Sequence, residues 1–271
     1  MTDMSPFMTG PVIFLHGTAG SPRQWHELIG HLPAGFETLT LDLPGYRAHE
    51  VPLAWRSLSD EADMIIQRLR AMGEPVHLVG HSYGGALALR VAMRYPGAIR
   101  SVVLFEPTMF HLLRDGHLVE RQMFGDIDVL VQMLQFADAE GEAARGVARF
   151  IDFWSGAGSF AQYNDETRQR LAARMPLILA NFAALDQENW PLSDLARLAC
   201  PMLGIYGETS PLLAHHLTRL VAGAVADAKV LPVSGAGHLL PVTHARMAAK
   251  LLASHLRTIE ARTPSQRPRV A

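Results

Sequence analysis

The sequence VHLVGHSYGG occupies residues 76–85. An apolar run ends in Gly-His-Ser-Tyr-Gly and an Ala/Leu-rich helical pattern follows at once, which predicts a strand, a tight turn and a helix with Ser82 at the apex. Gly80 and Gly84 flank this serine two positions away on either side, where a side chain would clash as the backbone folds back. A G-x-S-x-G pattern in this context is typical of a nucleophile elbow, which presents a serine hydroxyl above the edge of a sheet.

The composition predicts one globular domain with a sizeable core. The chain has 271 residues, 49% of them hydrophobic, and a formal net charge of -2. This near-neutral balance gives no electrostatic reason to expect nucleic acid or an anionic membrane as a partner. Cys200 is the only cysteine, which excludes an internal disulfide, and we expect it in the core. No apolar run is long enough to cross a bilayer and residues 1–10 lack the basic start of a signal peptide, so we expect a soluble, cytoplasmic protein. The sequence does not determine the oligomeric state.

Strand and helix patterns alternate through most of the chain. Apolar runs that predict strands lie at 11–16, 36–42, 76–80, 100–105, 201–206 and 229–233. Such alternation predicts an α/β fold with a doubly wound, mainly parallel sheet. The active site of such a sheet lies beyond the carboxyl ends of its strands. In this chain Thr18, Ser82, Glu106 and the loop to His238 follow those ends.

The segment 107–198 departs from the alternation. Strand signals vanish there, helical stretches take their place, and aromatic and Met residues are frequent. We therefore predict a helical cap at 107–198, inserted in an α/β-core formed by residues 1–106 and 199–257. Residues 258–271, after a last helix at 244–256, are predicted to be a disordered tail. Breaks between the helices of the cap are predicted at Gly125, Gly141, 156–158 and Pro176.

A serine hydroxyl is a poor nucleophile at neutral pH and needs a base, usually a histidine held by a carboxylate. The chain has 13 histidines, and position selects among them. His238 follows the last predicted strand in a Gly-rich loop, which brings it to the edge of the sheet that carries Ser82. His81 adjoins the serine, but we expect the elbow to turn it away, and His16 is expected to be structural. No spacing of histidines and carboxylates predicts a metal site.

Negative charge that develops on an attacked carbonyl oxygen needs preorganised donors. The backbone N–H of Tyr83, directly after the serine, is one candidate, and the helix that it opens adds its dipole. The loop after the first strand supplies the other, and we expect it to be the N–H of Thr18.

Four motifs in order carry a resemblance to a known family. They are His16-Gly17, Asp42-Leu43-Pro44-Gly45, Gly80-His81-Ser82-Tyr83-Gly84-Gly85 and Gly235-Ala236-Gly237-His238. The chain resembles the α/β-hydrolase superfamily, in the branch with a serine nucleophile and a helical cap, from about residue 11 to 256. The resemblance implies the fold predicted above. Only ten residues precede the first predicted strand, so we expect a shortened sheet of about six strands.

The acid that completes the triad departs from the pattern of the family. The resemblance implies an Asp just after the penultimate strand, but Ser210 stands at that place. Some relatives, including haloalkane dehalogenases, carry the acid at the end of the strand after the nucleophile's helix, which in this chain is Glu106. A glutamate at the end of an apolar strand is costly to bury without a partner. We therefore predict a Ser82–Glu106–His238 triad, with Glu208 or the lack of any acid as alternatives.

The type of nucleophile limits the reaction. A serine forms an acyl-enzyme, whereas haloalkane dehalogenases and epoxide hydrolases use a carboxylate. We therefore predict an esterase that acts on a small-molecule carboxylic ester of small to medium size, with no metal or organic cofactor. The same residues suit an acyltransferase, a lactonase, a carbon–carbon bond hydrolase or a cofactor-free perhydrolase. A ligand-binding member with little turnover is the non-enzymatic alternative.

Overall fold

The computed structural model describes residues 10–46 and 56–262, and these contain one six-stranded sheet. Every neighbouring pair of strands is parallel, in the order β2-β1-β3-β4-β5-β6, so the predicted doubly wound sheet of six strands is confirmed. The second strand is shorter than predicted. The strands are β1 (Val12–Leu15), β2 (Thr38–Leu41), β3 (Val76–His81), β4 (Ile99–Phe105), β5 (Met202–Gly207) and β6 (Ala228–Val233).

Apolar side chains point from both faces of the sheet. In β1, Ile13 and Leu15 belong to one buried cluster, whereas Val12 and Phe14 belong to the other. Successive side chains of a strand alternate between its faces, so a strand buried on both sides reads as a continuous apolar run. This is why β1, β3 and β4 were recognisable in the sequence.

Helices cover both faces of the sheet. The described residues contain α1 (His26–Gly30), α2 (Leu58–Met72), α3 (Tyr83–Arg94), α4 (Leu118–Ala139), α5 (Ala143–Ser155), α6 (Asp165–Ala172), α7 (Met175–Asp186), α8 (Leu212–Gly223), α9 (Leu240–Thr243) and α10 (Ala245–Arg262). Residues of α2, α3 and α8 share one buried cluster, and residues of α1, α9 and α10 share the other. Within the described part of the chain, no helix combines the length and the apolar character that crossing a bilayer requires.

The order of the strands fixes where a site can form. The chain passes from β1 outward to β2 and then returns to place β3 on the other side of β1. At such a reversal the connections leave opposite faces of the sheet, and a crevice opens beyond the carboxyl ends of the two strands. The loop with Thr18 follows β1 and the turn with Ser82 follows β3, so both residues border this crevice.

The region between β4 and β5 contains helices and no strand, with all of its residues described. Gly141 (φ +73°), Gly156 (φ +97°) and Gly158 (φ +81°) lie between helices, as predicted. Pro176 lies in the first turn of α7, a position that tolerates proline. The break predicted at Pro176 therefore lies just before it, between α6 and α7. The break predicted at Gly125 is wrong, because α4 continues through it. One glycine inside a helix costs only about 1 kcal/mol, which the packing of this long helix offsets.

The last helix extends beyond its predicted end. Helix α10 reaches Arg262, so the disordered tail predicted from residue 258 is wrong for residues 258–262, and 263–271 lie outside the described residues. Ile259 is buried, and the carboxylate of Glu260 lies 2.9 Å from His77 Nε2 and 3.0 Å from Arg100. These contacts to the sheet hold the last turns of the helix, and composition alone did not reveal them.

Candidate active site

The turn between β3 and α3 has the geometry of a nucleophile elbow. Ser82 lies at its apex with φ +54° and ψ -119°, a backbone conformation that a residue with a side chain rarely adopts. A Cβ atom on Gly80 would lie 2.2 Å from the carbonyl oxygen of Gly84, and one on Gly84 would lie 2.3 Å from that of Leu15. The glycines on both sides of the serine are therefore required by close backbone contacts, as the sequence predicted.

Glu106 and His238 are in direct contact. Glu106 follows β4 with φ +49° and is 1% exposed. Its Oε2 lies 2.6 Å from His238 Nδ1, and its Oε1 accepts hydrogen bonds from the backbone N–H of Gly207 at 2.7 Å and from Ser210 Oγ at 2.5 Å. The side chain of Glu208, the alternative acid, is exposed to solvent. The carboxylate beside the imidazole is thus that of Glu106.

These contacts keep the Glu106 side chain ionised. Burial by itself raises the pKa of this carboxyl, but the hydrogen bond and charge of His238, followed by the donors of Gly207 and Ser210, lower the pKa below its ordinary value. An ionised carboxylate can only accept, so His238 Nδ1 carries the proton of the 2.6 Å hydrogen bond. In a neutral His238 ring, Nε2 is then free to accept a proton.

The sequence predicts that the elbow turns His81 away from the site. The structure shows that this prediction is wrong, because His81 lies against His238. Its Nε2 donates a hydrogen bond of 2.8 Å to the backbone carbonyl of His238, and the two rings are 4.8 Å apart. Burial is the main cause that lowers the pKa of His81 to about 3, so the ring is neutral. A neutral His81 therefore holds the loop that carries His238, a role that no pattern in the sequence indicated.

Ser82 and His238 face the same cavity. It measures about 140 Å³ and is also lined by Thr18, Phe150 and Trp154. The serine hydroxyl and His238 Nε2 form no direct hydrogen bond among the described residues. Hydrogen bonds of this kind are often long without a substrate and tighten when one binds.

Trp154 of α5 covers the imidazole of His238. The two rings stack with centroids 4.3 Å apart and planes inclined by 24°. Trp154 is 5% exposed and also contacts Phe110 and Phe153. The cap therefore shields one face of the imidazole from water, and the sequence indicated only that this segment is rich in aromatic residues.

The loop after β1 is held on both sides of Thr18. The Gly17 N–H donates to Gln24 Oε1 at 3.2 Å, and the Ala19 N–H donates to the hydroxyl of Tyr46 at 3.0 Å. Ala19 has φ +59°, a strained value for a residue with a side chain. The loop therefore has a fixed shape where Thr18 borders the cavity with Ser82. Directly after Ser82, Tyr83 is the first residue of α3, and the first N–H groups of a helix have no partner within it.

His16 stabilises the start of this loop. Its Nε2 accepts from the Leu43 N–H at 3.3 Å, and its Nδ1 donates to the carbonyl of Gly17 at 2.9 Å. Burial is the largest influence on its pKa, which falls to about 4, so the ring is neutral. These contacts fit the structural role expected from the sequence.

The chain belongs to the alpha/beta hydrolase family, whose model matches residues 12–250. Two relatives with curated names illustrate the range of the family. The chain is 25% identical to the biotin biosynthesis bifunctional protein BioHC of Teredinibacter turnerae, over 96% of this chain and 47% of that protein. It is 22% identical to the monoacylglycerol lipase abhd6-B of Xenopus laevis, over 92% of this chain and 76% of the lipase. The chain spans about half the length of BioHC.

Solved structures share the fold at low sequence identity. MenH from S. aureus matches with a TM-score of 0.72 and 17% identity, over 93% of this chain and 95% of that one. A thermophilic esterase from Thermogutta terrifontis matches with a TM-score of 0.72 and 18% identity, over 93% of this chain and 91% of that one. These similarities confirm the α/β-hydrolase fold.

Proposed function

We propose that this protein is an esterase, in which Ser82, His238 and Glu106 hydrolyse a small-molecule carboxylic ester through an acyl-enzyme. The observation that carries the proposal is the 2.6 Å contact between Glu106 and His238 beside a cavity that Ser82 also lines. An ionised carboxylate on Nδ1 leaves Nε2 as a base toward the serine and stabilises the imidazolium that forms. The only reacting groups needed are side chains, water and the ester.

The reaction takes place in two halves. His238 Nε2 takes the proton of the Ser82 hydroxyl as Oγ attacks the ester carbonyl, and the tetrahedral intermediate collapses with cleavage of the bond to the alcohol oxygen. The imidazolium gives its proton to the departing alkoxide, which leaves as the alcohol. In the second half His238 removes a proton from water, whose oxygen attacks the acyl-enzyme. The acid is released and Oγ recovers its proton.

The oxyanion is proposed to be bound by the backbone N–H groups of Tyr83 and Thr18. The fixed loop around Thr18 and the start of α3 support this assignment, because donors that do not move need no reorganisation in the transition state. One such donor typically contributes about 3 kcal/mol of transition-state stabilisation.

A labelling and turnover experiment tests the proposal. The protein is treated with a fluorophosphonate probe, and hydrolysis of p-nitrophenyl acetate and p-nitrophenyl butyrate is followed by absorbance. We expect the probe to modify Ser82 and both esters to be hydrolysed, with both signals lost in Ser82→Ala. Ser254→Ala, which changes an exposed serine of α10, serves as the matched control and should retain both.

Three other outcomes would contradict the proposal. Labelling without turnover of any ester would favour a ligand-binding protein. Turnover that accelerates when a second alcohol is added would favour an acyltransferase. Turnover that persists in Ser82→Ala would remove the serine from the mechanism.

A further inference from the structure

The cavity at Ser82 is one of three neighbouring spaces that share lining residues. The first, the alcohol cavity, is the 140 Å³ space that His238 lines together with Ile151, Tyr163 and Leu171 of the cap. The second, the gate chamber, has a volume of about 10 Å³ and lies between Ser82, Thr108 and Leu185. A volume of this size holds about one water molecule. Ser82 lines both spaces, so it lies at the junction between them.

The third space, the cap groove, lies between α4 and α7 and has a volume of about 580 Å³. Its floor is apolar and includes Phe124, Ile127, Val131 and Leu179, while charged and amide side chains such as Gln132 line its edges. This volume is in the range of sites that bind small molecules. The groove is far larger than either space next to the serine.

Three side chains separate the cap groove from the gate chamber. Phe110, Phe182 and Leu185 line both spaces. The rings of Phe110 and Phe182 are stacked, with centroids 6.0 Å apart and planes inclined by 14°. A passage from the groove to the chamber at Ser82 requires that these two rings rotate. Only a layer of side chains, which includes the two stacked aromatic rings, thus separates the groove from the proposed active site.

Proton transfer decides which part of an ester occupies which space. His238 must give its proton to the departing alcohol oxygen, so the alcohol part lies on the side of His238, in the alcohol cavity. The acyl carbon is bonded to Ser82 Oγ in the intermediate, and the acyl chain must extend away from His238. The gate chamber and the cap groove are the two spaces that His238 does not line.

We infer that the cap groove binds the aliphatic acyl chain of the substrate, which is an ester of a short alcohol and a medium- or long-chain acid. This inference rests on the proposed esterase function, whose site it extends. An apolar floor stabilises a methylene chain by burial, at roughly fourfold in affinity for each methylene that leaves water. The polar edges remain hydrated, since nothing on the chain competes for their hydrogen bonds.

The experiment blocks the groove and leaves the serine untouched. Ala180→Trp and Ala183→Trp each place a large ring in the groove, because both alanines line it and neither lines the spaces at Ser82. Ala139→Trp introduces the same ring on an exposed position of α4 that does not line the groove, and is the matched control. Hydrolysis of the methyl esters of acetate, butyrate, octanoate and dodecanoate is measured by titration of the acid released.

We expect kcat/KM of the unmodified protein to rise at least tenfold from butyrate to octanoate. Ala180→Trp and Ala183→Trp should lower kcat/KM for octanoate and dodecanoate at least tenfold and leave that for acetate within twofold, while Ala139→Trp leaves the whole profile unchanged. A chain-length profile that both groove variants leave unaltered would overturn the inference. So would equal losses for acetate and dodecanoate in both groove variants.

A binding measurement separates this inference from the proposed function. Calorimetry with dodecanoate reports on the groove without any turnover, and we expect its dissociation constant to weaken at least tenfold in Ala183→Trp. If Ala183→Trp loses dodecanoate binding but the unmodified protein hydrolyses no ester, the groove binds acyl chains and the proposed esterase function is wrong. If the protein hydrolyses esters but both groove variants bind dodecanoate unchanged, the esterase function is supported and the assignment of the acyl chain to the groove is wrong.

Discussion

Ser210 Oγ donates a hydrogen bond of 2.5 Å to Oε1 of Glu106, the carboxylate that contacts His238. Ser210 occupies the place after β5 at which most α/β-hydrolases are expected to carry the acid. Ser210 follows β5 and Glu106 follows β4, so side chains from the ends of two different strands meet beside the imidazole of His238. The two positions at which the acid is expected, 106 and 210, are thus in direct hydrogen-bond contact.

Removing the charge of Glu106 should abolish most of the activity. Glu106→Gln keeps the size of the side chain but cannot stabilise an imidazolium, and we expect kcat to fall by about 10³- to 10⁴-fold. Glu208→Gln, a matched change at an exposed neighbour, should remain within twofold of the unmodified protein. Steady-state hydrolysis of p-nitrophenyl butyrate measures both. A Glu106→Gln protein with near-normal turnover would show that another group serves as the acid.

A carboxylate at position 210 should replace the one lost at 106. In the double variant Glu106→Gln and Ser210→Asp, we expect kcat to recover at least tenfold over Glu106→Gln alone, because Ser210 contacts the carboxylate that contacts the imidazole. In Ser210→Asp alone, two carboxylates compete for one cation, so we expect activity to fall at neutral pH. The same ester assay measures all three proteins. A double variant no more active than Glu106→Gln would mean that position 210 cannot serve His238.

Tyr46 links the loop after β1 to helix α7 through two hydrogen bonds. Tyr46 accepts from the Ala19 N–H at 3.0 Å and donates to Asn181 Oδ1 of α7 at 2.6 Å. Tyr46→Phe removes both bonds, so we expect a loss of about 1–3 kcal/mol of stability and at least a tenfold lower kcat from the loosened loop.

Urea unfolding and ester kinetics measure these two effects. Tyr95→Phe, at a half-buried tyrosine outside the proposed site, is the matched control and should change neither. A Tyr46→Phe protein that loses stability but keeps its kcat would show that Tyr46 does not position the proposed oxyanion donor of Thr18.

Glu61 should make the stability depend on pH. It is buried in α2, and burial raises its pKa from 4.5 to about 7, while the nearby Tyr83 hydroxyl and Arg56 charge offset this in part. Between these two pH values the unfolded chain releases the proton that the folded protein keeps, so stability falls as pH rises from 4.5 through 7.

Replacing the carboxyl by an amide removes this dependence. From pH 4.5 to 8, Glu61→Gln should gain about 3 kcal/mol of stability relative to the unmodified protein. Urea unfolding across this range measures the difference, with the exposed Glu166→Gln as control. A difference that stays constant with pH would mean that Glu61 ionises normally in the folded state.

The elbow should tolerate no added Cβ atom. In Gly84→Ala the new atom would lie 2.3 Å from the Leu15 carbonyl oxygen, a backbone atom that cannot move without shifting β1. We expect a loss of several kcal/mol, about 3 or more, or failure to fold. Gly97→Ala is the matched control, since a Cβ there meets nothing within 4 Å. Thermal unfolding of both variants measures the contrast, and equal stabilities would contradict the close contact at Gly84.

The sequence by itself determined most of the secondary-structure elements and the position of the elbow with Ser82 at its apex. Continuous apolar runs mark strands that are buried on both faces, and Gly80 and Gly84 mark a turn in which a side chain would clash, so these signals lie within a few neighbouring residues. His238 and Glu106 were found from their places after strands, because every strand of a parallel sheet ends at the same edge.

Only the tertiary structure decided which groups meet there. Glu106 and His238 are 132 residues apart in sequence. His81, Trp154 and Ser210 contact this pair, and no pattern in the sequence indicates these contacts. The same is true of the groove between α4 and α7, since its volume depends on how two helices pack. Local sequence patterns reflect interactions between residues that are close in the chain. These sites are instead formed by residues that are far apart in the chain and meet only when the sheet and the cap have folded.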